Sequence, residues 1–199
     1  MTGRLRRATR VELSDLADRH GAPILARARI RGGFFDPLER PDRFGEVCMV
    51  VRRTSGKVLL TTKDFYPRGA FRLPTGGISH GERVLDALLR EVHEETGLEV
   101  EVRRFLAWID YLPLEGDEPL FHTFAFLLDE TGGTLGPLDA AERIAAYREV
   151  EISELDAVAD RLDTIASARS DEIVGDWADW GRFRAVVHRV VRKALPAAD

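Results

Sequence analysis

The chain has 199 residues with a formal net charge of −5, a size that suits one domain with some extension. An acidic chain lacks the basic surface that meets a phosphate backbone, so composition argues against a general nucleic-acid binder. The single cysteine, Cys48, excludes an internal disulfide, and no stretch reaches the roughly 20 apolar residues of a membrane span, so we expect a cytoplasmic protein without membrane contact.

The predicted elements begin within a charge-rich N-terminal extension, residues 1–43. Residues 11–19 predict a short helix, while residues 24–30 fit a strand or a helix, and that choice stays open. The segments 46–53 and 57–62 flank a Thr-Ser-Gly turn and predict a β-hairpin. A sheet therefore begins soon after the extension.

The second half of the chain continues this alternation. Residues 100–112 and 120–128 predict two longer strands joined by a polar loop. Residues 144–152 predict a later strand that leads into a helix over residues 153–166. The order predicts an α/β fold in which helices flank a mixed sheet.

A C-terminal extension, residues 167–199, contains an amphipathic pattern. Apolar residues recur at helical spacing over residues 176–195, which predicts a terminal helix that docks on the core of its own chain. A homodimer contact is the alternative. The arginines of this helix are predicted to form its solvent-facing side: Arg182, Arg184, Arg189 and Arg192.

The segment richest in chemistry is the one between the hairpin and the long strands. Glycines predict a tight loop over residues 73–81, whose backbone can approach a ligand closely. A helix should begin near Glu82 and end at Gly97 with a left-handed cap. Its core-facing stripe is predicted to consist of four apolar side chains: Leu85, Leu88, Leu89 and Val92.

Three acids of this helix, Glu91, Glu94 and Glu95, share one face because their spacing is i, i+3, i+4. Like charges so close together cost stability unless something neutralises them. A hard divalent cation such as Mg²⁺ does so and also binds substrate phosphates. The alternative is a solvated helix whose acids pair with neighbouring basic residues: Arg83, Arg90 or His93.

The 23 residues from Gly76 to Leu98 resemble the signature of the Nudix hydrolases at every position. That signature reads Gly, five residues, Glu, seven residues, Arg-Glu, an apolar residue, any residue, Glu-Glu, any residue, Gly and an apolar residue. The resemblance implies the Nudix α/β/α sandwich with a mixed sheet, for which residues 44–166 are the predicted domain. It also implies hydrolysis of a diphosphate linkage by an activated water.

The resemblance implies roles for individual residues of the motif. Glu94 and Glu95 are the usual metal ligands, and Glu91 is a ligand, the general base, or both. Arg90 orients Glu91 by ion pairing, and Glu82 supports the site from outside the metal's immediate ligands. Two backbone contributions are also implied: Thr75 offers its carbonyl to a metal, and Gly76 and Gly77 belong to the loop that cradles the diphosphate.

Substrate selectivity must come from residues outside the motif. Phe65 and Tyr66 lie in a loop before the motif, where an exposed aromatic ring stacks on a base; structural packing is the alternative. Pro113 stands near a proline of ADP-ribose-cleaving members. Glu142 resembles the extra acid that some members bring to the metal site, and a surface acid is its alternative.

These features predict a Mg²⁺-dependent diphosphohydrolase, with Mn²⁺ as a substitute ion. Its expected partner is a small nucleotide: a nucleoside diphosphate derivative, with ADP-ribose-like compounds favoured. A nucleoside triphosphate pyrophosphohydrolase is the alternative enzyme. A nucleotide-sensing Nudix domain without turnover is the alternative from another class. The presence of Arg90, Glu91, Glu94 and Glu95 argues against it, since a pure binder needs no base.

Overall fold

A computed structural model describes residues 5–30, 35–38 and 40–195. The ends of both predicted extensions, and residues 31–34 and 39, lie outside the described residues. The helices are α1 (Arg7–His20), α2 (Val84–Thr96), α3 (Leu155–Asp163) and α4 (Trp177–Ala194). The strands are β1 (Ile24–Arg29), β2 (Arg43–Arg52), β3 (Val58–Lys63), β4 (Thr75–Ser79), β5 (Leu98–Leu112), β6 (Phe121–Gly133), β7 (Ile144–Val150), β8 (Arg169–Ser170) and β9 (Gly175–Asp176), and 3₁₀ turns span Ala140–Glu142 and Ile152–Glu154.

Seven strands form one mixed sheet in the order β1-β5-β6-β2-β3-β7, with β4 also paired to β2. β1 is parallel to β5 and β2 is parallel to β6, whereas the β5–β6, β2–β3, β2–β4 and β3–β7 pairs are antiparallel. Segment 24–30, which fits either element by pattern, is therefore an edge strand. The hairpin and the long strands are found as predicted.

The alternation of β2 shows how the core divides. Val47, Met49 and Val51 pack with α1 and α2, while Cys48 and Val50 pack with α3 and α4 on the other face. Successive side chains of a strand point to opposite faces, so one apolar run supplies both cores. The predicted α/β/α sandwich is confirmed, and Cys48 is fully buried as expected.

The predicted loop over residues 73–81 is only partly correct, because Thr75–Ser79 forms strand β4. Pairing with β2 places Cys48 opposite Thr75 and Val47 opposite Gly76. The glycines weaken a strand in isolation, but here they allow side chains from neighbouring elements to approach the backbone. Pairing with β2, rather than local propensity, determines that this segment is a strand.

Helix α2 ends as predicted, since Gly97 has a left-handed φ of 65° and its amide donates to His93 O. The predicted apolar stripe is wrong at Leu89, which is 44% exposed. The helix instead buries Val84, Ala87, Leu88 and Val92, together with two of its acids, Glu91 and Glu95. Tertiary packing has rotated the buried face toward the carboxylates, so that they face the sheet rather than solvent.

The terminal helix α4 docks on its own chain, with Trp180, Phe183, Val187 and Val191 in the core shared with α3 and the sheet. The prediction that its arginines face solvent is wrong for Arg184, which is 5% exposed. An acidic partner inside the protein compensates its charge, as described below. Among the described residues, no helix is long and apolar enough to cross a membrane.

Candidate active site

A cleft of about 260 Å³ opens between β4, α2 and α4. Its lining combines acids, bases and aromatic rings from several strands, helices and loops. The charged and aromatic residues that matter most to its chemistry are Glu46, Lys63, Phe65, Tyr66, Arg72, Glu91, Glu95, Glu142, Trp180 and Arg184. The backbone of Thr75, Gly76 and Gly77 forms part of the same wall.

Arg90 is the hub of the motif helix. Its Nη1 donates to Glu91 Oε1 at 2.8 Å and to Glu94 Oε2 at 3.0 Å, and its Nε donates to Glu82 Oε1 at 2.9 Å. Its Nη2 donates to the carbonyl of Gly77 at 3.1 Å. One guanidinium therefore ties three acids to β4. The alternative of a helix whose acids pair with its own bases accounts for these contacts, but not for the burial of Glu91 and Glu95.

Glu82 connects the helix to the end of β4, because its Oε2 accepts from the amide of Ser79 at 3.0 Å. Partial burial alone would raise the pKa of Glu82. The hydrogen bonds from Arg90 and from the Ser79 amide, with the charge of Arg90, outweigh burial and lower that pKa. Glu82 thus stays ionised and holds Arg90 in place.

Glu91 lies directly against Gly76. A Cβ added at Gly76 would come within 2.0 Å of Cγ and Cδ of Glu91, so only glycine leaves room for this carboxylate. Glu91 is 7% exposed. Burial raises the pKa of Glu91, and the hydrogen bond and charge of Arg90 oppose that rise.

The acids do not all meet at one point. Carboxylate oxygens of Glu91, Glu94 and Glu142 lie within 4.8 Å of one another. Glu142 reaches this group from the turn before β7 and also accepts from Lys63 Nζ at 2.8 Å. Glu142, which lies 48 positions after Glu94 and 51 after Glu91 in sequence, therefore joins these two motif carboxylates in space.

Glu95 lies deeper, at 1% exposed, with its Oε1 3.8 Å from Lys63 Nζ. Burial raises the pKa of Glu95 to about 7, although the charges of Arg72 and Lys63 oppose the rise. Its Oε2 has no hydrogen-bond partner within the described part of the chain. A buried carboxylate oxygen without a partner is costly unless a cation or water supplies one.

These residues fit a divalent cation by three independent observations. Three carboxylates offer oxygens at close range, which is the donor chemistry that Mg²⁺ prefers. The buried Oε2 of Glu95 has no hydrogen-bond partner among the residues that the structure describes. Gly76 leaves room for Glu91 at the same wall. A cation here would relieve the repulsion among the acids.

The floor of the cleft is a buried ionic network around Thr75. Thr75 Oγ1 accepts from Nη1 of Arg72 and from Nη1 of Arg184, both at 3.1 Å. Arg184 Nη1 also donates to both carboxylate oxygens of Glu46, at 2.9 and 2.7 Å. Glu46 accepts in addition from Thr123 Oγ1 at 2.9 Å. Sequence patterns do not predict Glu46, Arg72 or Arg184 as site residues. A charged residue beside an apolar run, as at Glu46, is a signal that could have indicated a buried functional charge.

The two aromatic residues before the motif line the cleft and are also packed. Tyr66 contacts Trp180 edge to face with ring centroids 4.7 Å apart, and its hydroxyl accepts from Arg72 Nε at 3.0 Å. Phe65 has the Arg143 guanidinium 4.4 Å from its ring centroid. Because Phe65 also lies near Trp177 of α4, with ring centroids 6.4 Å apart, both rings belong to a wall built with α4.

The strand-end segment around Tyr111 and Pro113 lies elsewhere. Tyr111 is buried against Phe183, with ring centroids 4.5 Å apart. The carbonyl of Pro113 accepts from Arg29 Nη1 at 2.8 Å. Neither residue is among those that line the cleft.

Comparison with known proteins identifies the family of the chain and several relatives. The NUDIX domain profile matches residues 42–170. The chain is 36% identical over 85 residues to an RNA pyrophosphohydrolase of Cereibacter sphaeroides, which covers 40% of this chain and 52% of that protein. It is 38% identical over 89 residues to an ADP-ribose pyrophosphatase of Methanocaldococcus jannaschii, covering 43% and 51%. A solved ADP-ribose pyrophosphatase of Streptococcus suis superposes with a TM-score of 0.46 and 19% identity, covering 75% of this chain and 90% of that one.

The chain belongs to the Nudix family, because the domain profile covers more than half of its length. The predicted resemblance is thereby confirmed. The chain spans about half the length of the two curated relatives described above.

Proposed function

We propose that this protein is a divalent-cation-dependent diphosphohydrolase that acts on nucleoside diphosphate derivatives, with ADP-ribose-like compounds favoured. The observation that carries the proposal is the cluster of Glu91, Glu94 and Glu142 oxygens beside the backbone of Gly76 and Gly77. Carboxylates alone repel a diphosphate, so this arrangement suits a cation that binds both.

The proposed cation ligands are Glu91, Glu94, Glu95 and Glu142, with the backbone carbonyl of Thr75. When bound, Mg²⁺, or Mn²⁺ in its place, neutralises these carboxylates and polarises the diphosphate.

The chain's own residues then handle the proton and the orientation. The oxygen of a water attacks phosphorus, the bond from that phosphorus to the bridging oxygen breaks, and the water's proton passes to Glu91. Oε2 is the proposed acceptor, since Oε1 already accepts from Arg90. Arg90, held by Glu82, fixes the orientation of the base. The two products are a nucleoside monophosphate and the phosphorylated remainder.

Substrate choice is proposed to depend on the cleft wall outside the motif. Phe65 and Tyr66 flank the space next to the carboxylates, where the attached nucleoside or sugar would lie. The similarity to the Methanocaldococcus jannaschii ADP-ribose pyrophosphatase supports ADP-ribose as the first substrate to examine. If Tyr66 forms this wall, Tyr66→Ala should raise KM for ADP-ribose more than it lowers kcat.

The test is product analysis with the purified chain, Mg²⁺ or Mn²⁺, and a panel that contains ADP-ribose and nucleoside triphosphates. We expect AMP and ribose 5-phosphate from ADP-ribose, no turnover with a chelator, and loss of turnover in Glu91→Gln. Glu101→Gln is the matched control, since Glu101 is an exposed acid paired with Arg103 on β5. Pyrophosphate release from triphosphates with ADP-ribose untouched would overturn the substrate assignment. Binding of nucleotides without turnover of any would overturn the enzyme assignment.

A further inference from the structure

Helix α4 lies outside residues 42–170, which match the family profile, yet its Arg184 lines the cleft and its His188 bonds the backbone just before β4. Arg184 is 5% exposed and His188 is fully buried. Buried charged and polar groups are costly unless their partners are well placed. Their partners therefore indicate what this helix does.

The partners of Arg184 lie in the strands that form the site. Its Nη1 bonds Glu46, the fourth residue of β2, and Thr75, the first residue of β4. β2 and β4 are neighbouring strands, with Glu46 opposite Gly77. The guanidinium thus braces β4 against β2 from outside the sheet.

The partners of His188 fix the chain just before β4. The backbone amide of Leu73 donates to Nε2 of His188 at 2.9 Å, and Nδ1 lies 2.7 Å from the carbonyl of Arg184. An amide can donate only to an unprotonated nitrogen, so Nδ1 carries the proton and His188 is neutral. One turn of α4 therefore holds both Leu73 and Thr75.

The segment held in this way is the one that accommodates the proposed base. Gly76, the residue after Thr75, contacts Glu91 so closely that no Cβ fits between them. Gly77 accepts from Arg90, which in turn bonds Glu91. A shift of residues 73–76 would therefore change the position of the Glu91 carboxylate.

We propose that Arg184 and His188 of α4 are positioning residues, which hold residues 73–76 against Glu91 and so complete the site from outside the family domain. This inference rests on the proposed function, and it adds a C-terminal element to the machinery. Neither side chain acts on substrate; each acts through the backbone that it holds.

The experiment compares four variants of the full chain. Arg184→Gln removes the brace on Thr75, and His188→Leu removes the acceptor for the Leu73 amide. His188→Gln offers a side-chain oxygen as a replacement acceptor. Arg189→Gln is the matched control, because Arg189 lies on the same helix but pairs with Asp160 and Asp163 at the surface. Each variant is assayed well below its melting temperature for Mn²⁺ affinity by electron paramagnetic resonance and for kcat and KM with ADP-ribose.

We expect Arg184→Gln and His188→Leu to lower kcat by about tenfold to a hundredfold, because small displacements of reacting groups have effects of this size. Mn²⁺ should bind about tenfold more weakly, because Glu91 is proposed both as the base and as a ligand of the cation. KM should change less than kcat. His188→Gln should recover most of the loss, and Arg189→Gln should match the parent protein.

Parental kcat and Mn²⁺ affinity in folded Arg184→Gln and His188→Leu would overturn the inference. Equal losses in His188→Leu and His188→Gln would also overturn it, since the Leu73 hydrogen bond would then not be the cause. If Arg184→Gln does not fold, the inference is tested by comparing kcat and Mn²⁺ affinity in His188→Leu and His188→Gln. If the parent protein binds Mn²⁺ but hydrolyses nothing, the proposed function fails, and the order of Mn²⁺ affinities still decides this inference.

Discussion

Gly76→Ala is the substitution whose effect on the site follows most directly from the geometry. The added Cβ would lie 2.0 Å from Cγ and Cδ of Glu91 and 2.3 Å from Oε2, whereas ordinary van der Waals contact begins near 3.4 Å. Glu91 would have to move by more than 1 Å. Glu91 is buried and bonded to Arg90, so its carboxylate cannot move this far without losing its present contacts.

A displacement of about 1 Å at a reacting group costs roughly 10²-fold in rate. We therefore expect Gly76→Ala to lower kcat for ADP-ribose by about that factor or more, with a smaller change in KM. Mn²⁺ affinity should fall as well, since Glu91 belongs to the carboxylate cluster. Steady-state kinetics and Mn²⁺ titration measure both effects.

Gly136→Ala is the control, because a Cβ there would meet no described residue within 4 Å. It should leave kcat, Mn²⁺ affinity and the melting temperature unchanged. If folded Gly76→Ala kept the kcat of the parent protein, the position of Glu91 would not matter to the reaction, and its proposed role as base would be refuted.

Three further predictions concern the acids and the buried histidine. Glu91→Gln should lower kcat far more than it changes KM, because an amide cannot take up the proton; a change in KM alone would direct the search for the base to Glu142. Glu95→Gln should lower Mn²⁺ affinity and turnover by at least about tenfold while circular dichroism stays native, and near-normal activity would contradict its role as a ligand. Burial lowers the pKa of His188 to about 4 from 6.5, so the unfolded chain binds its proton more tightly. As the pH is lowered from 6.5 to 4, the free energy of unfolding should therefore fall by at most about 3 kcal/mol. Urea titrations at several pH values should show a weaker pH dependence of this free energy in His188→Gln. The same pH dependence in His188→Gln and the parent protein would contradict this prediction.

The elements that sequence predicts well are those whose pattern reflects local geometry. The left-handed cap at Gly97 and the β2–β3 hairpin depend on a few neighbouring residues and are found as expected. β4 is different, because its glycines predict a loop and only pairing with β2 makes it a strand. Leu89 shows the same limit. Its apolar side chain suits a core by composition, but the sheet packs against Glu91 and Glu95 instead.

In the site, too, contacts between residues close in sequence can be predicted, whereas contacts between residues distant in sequence cannot. Arg90 bonds Glu94 four positions along the helix, a pair that helical spacing predicts, whereas its ion pair with Glu91 is expected from the resemblance to the Nudix signature. Lys63 and Glu142 lie 79 positions apart and meet because β3 pairs with β7.

Glu46 and Arg184 are separated by 138 positions and meet because α4 packs on the face of the sheet to which Cys48 and Val50 of β2 point, and Glu46 points to the same face. No local pattern distinguishes a buried arginine of this kind from a solvated one, which is why Arg184 is misassigned by sequence. A single signature can thus identify Glu91, Glu94 and Glu95, because all three lie on one helix, but it cannot identify Glu142. The residues that hold those carboxylates in register, and that shape the space for the rest of the substrate, come from strand order and from the terminal helix. Differences in substrate between relatives with the same motif are therefore expected to arise in these distant partners.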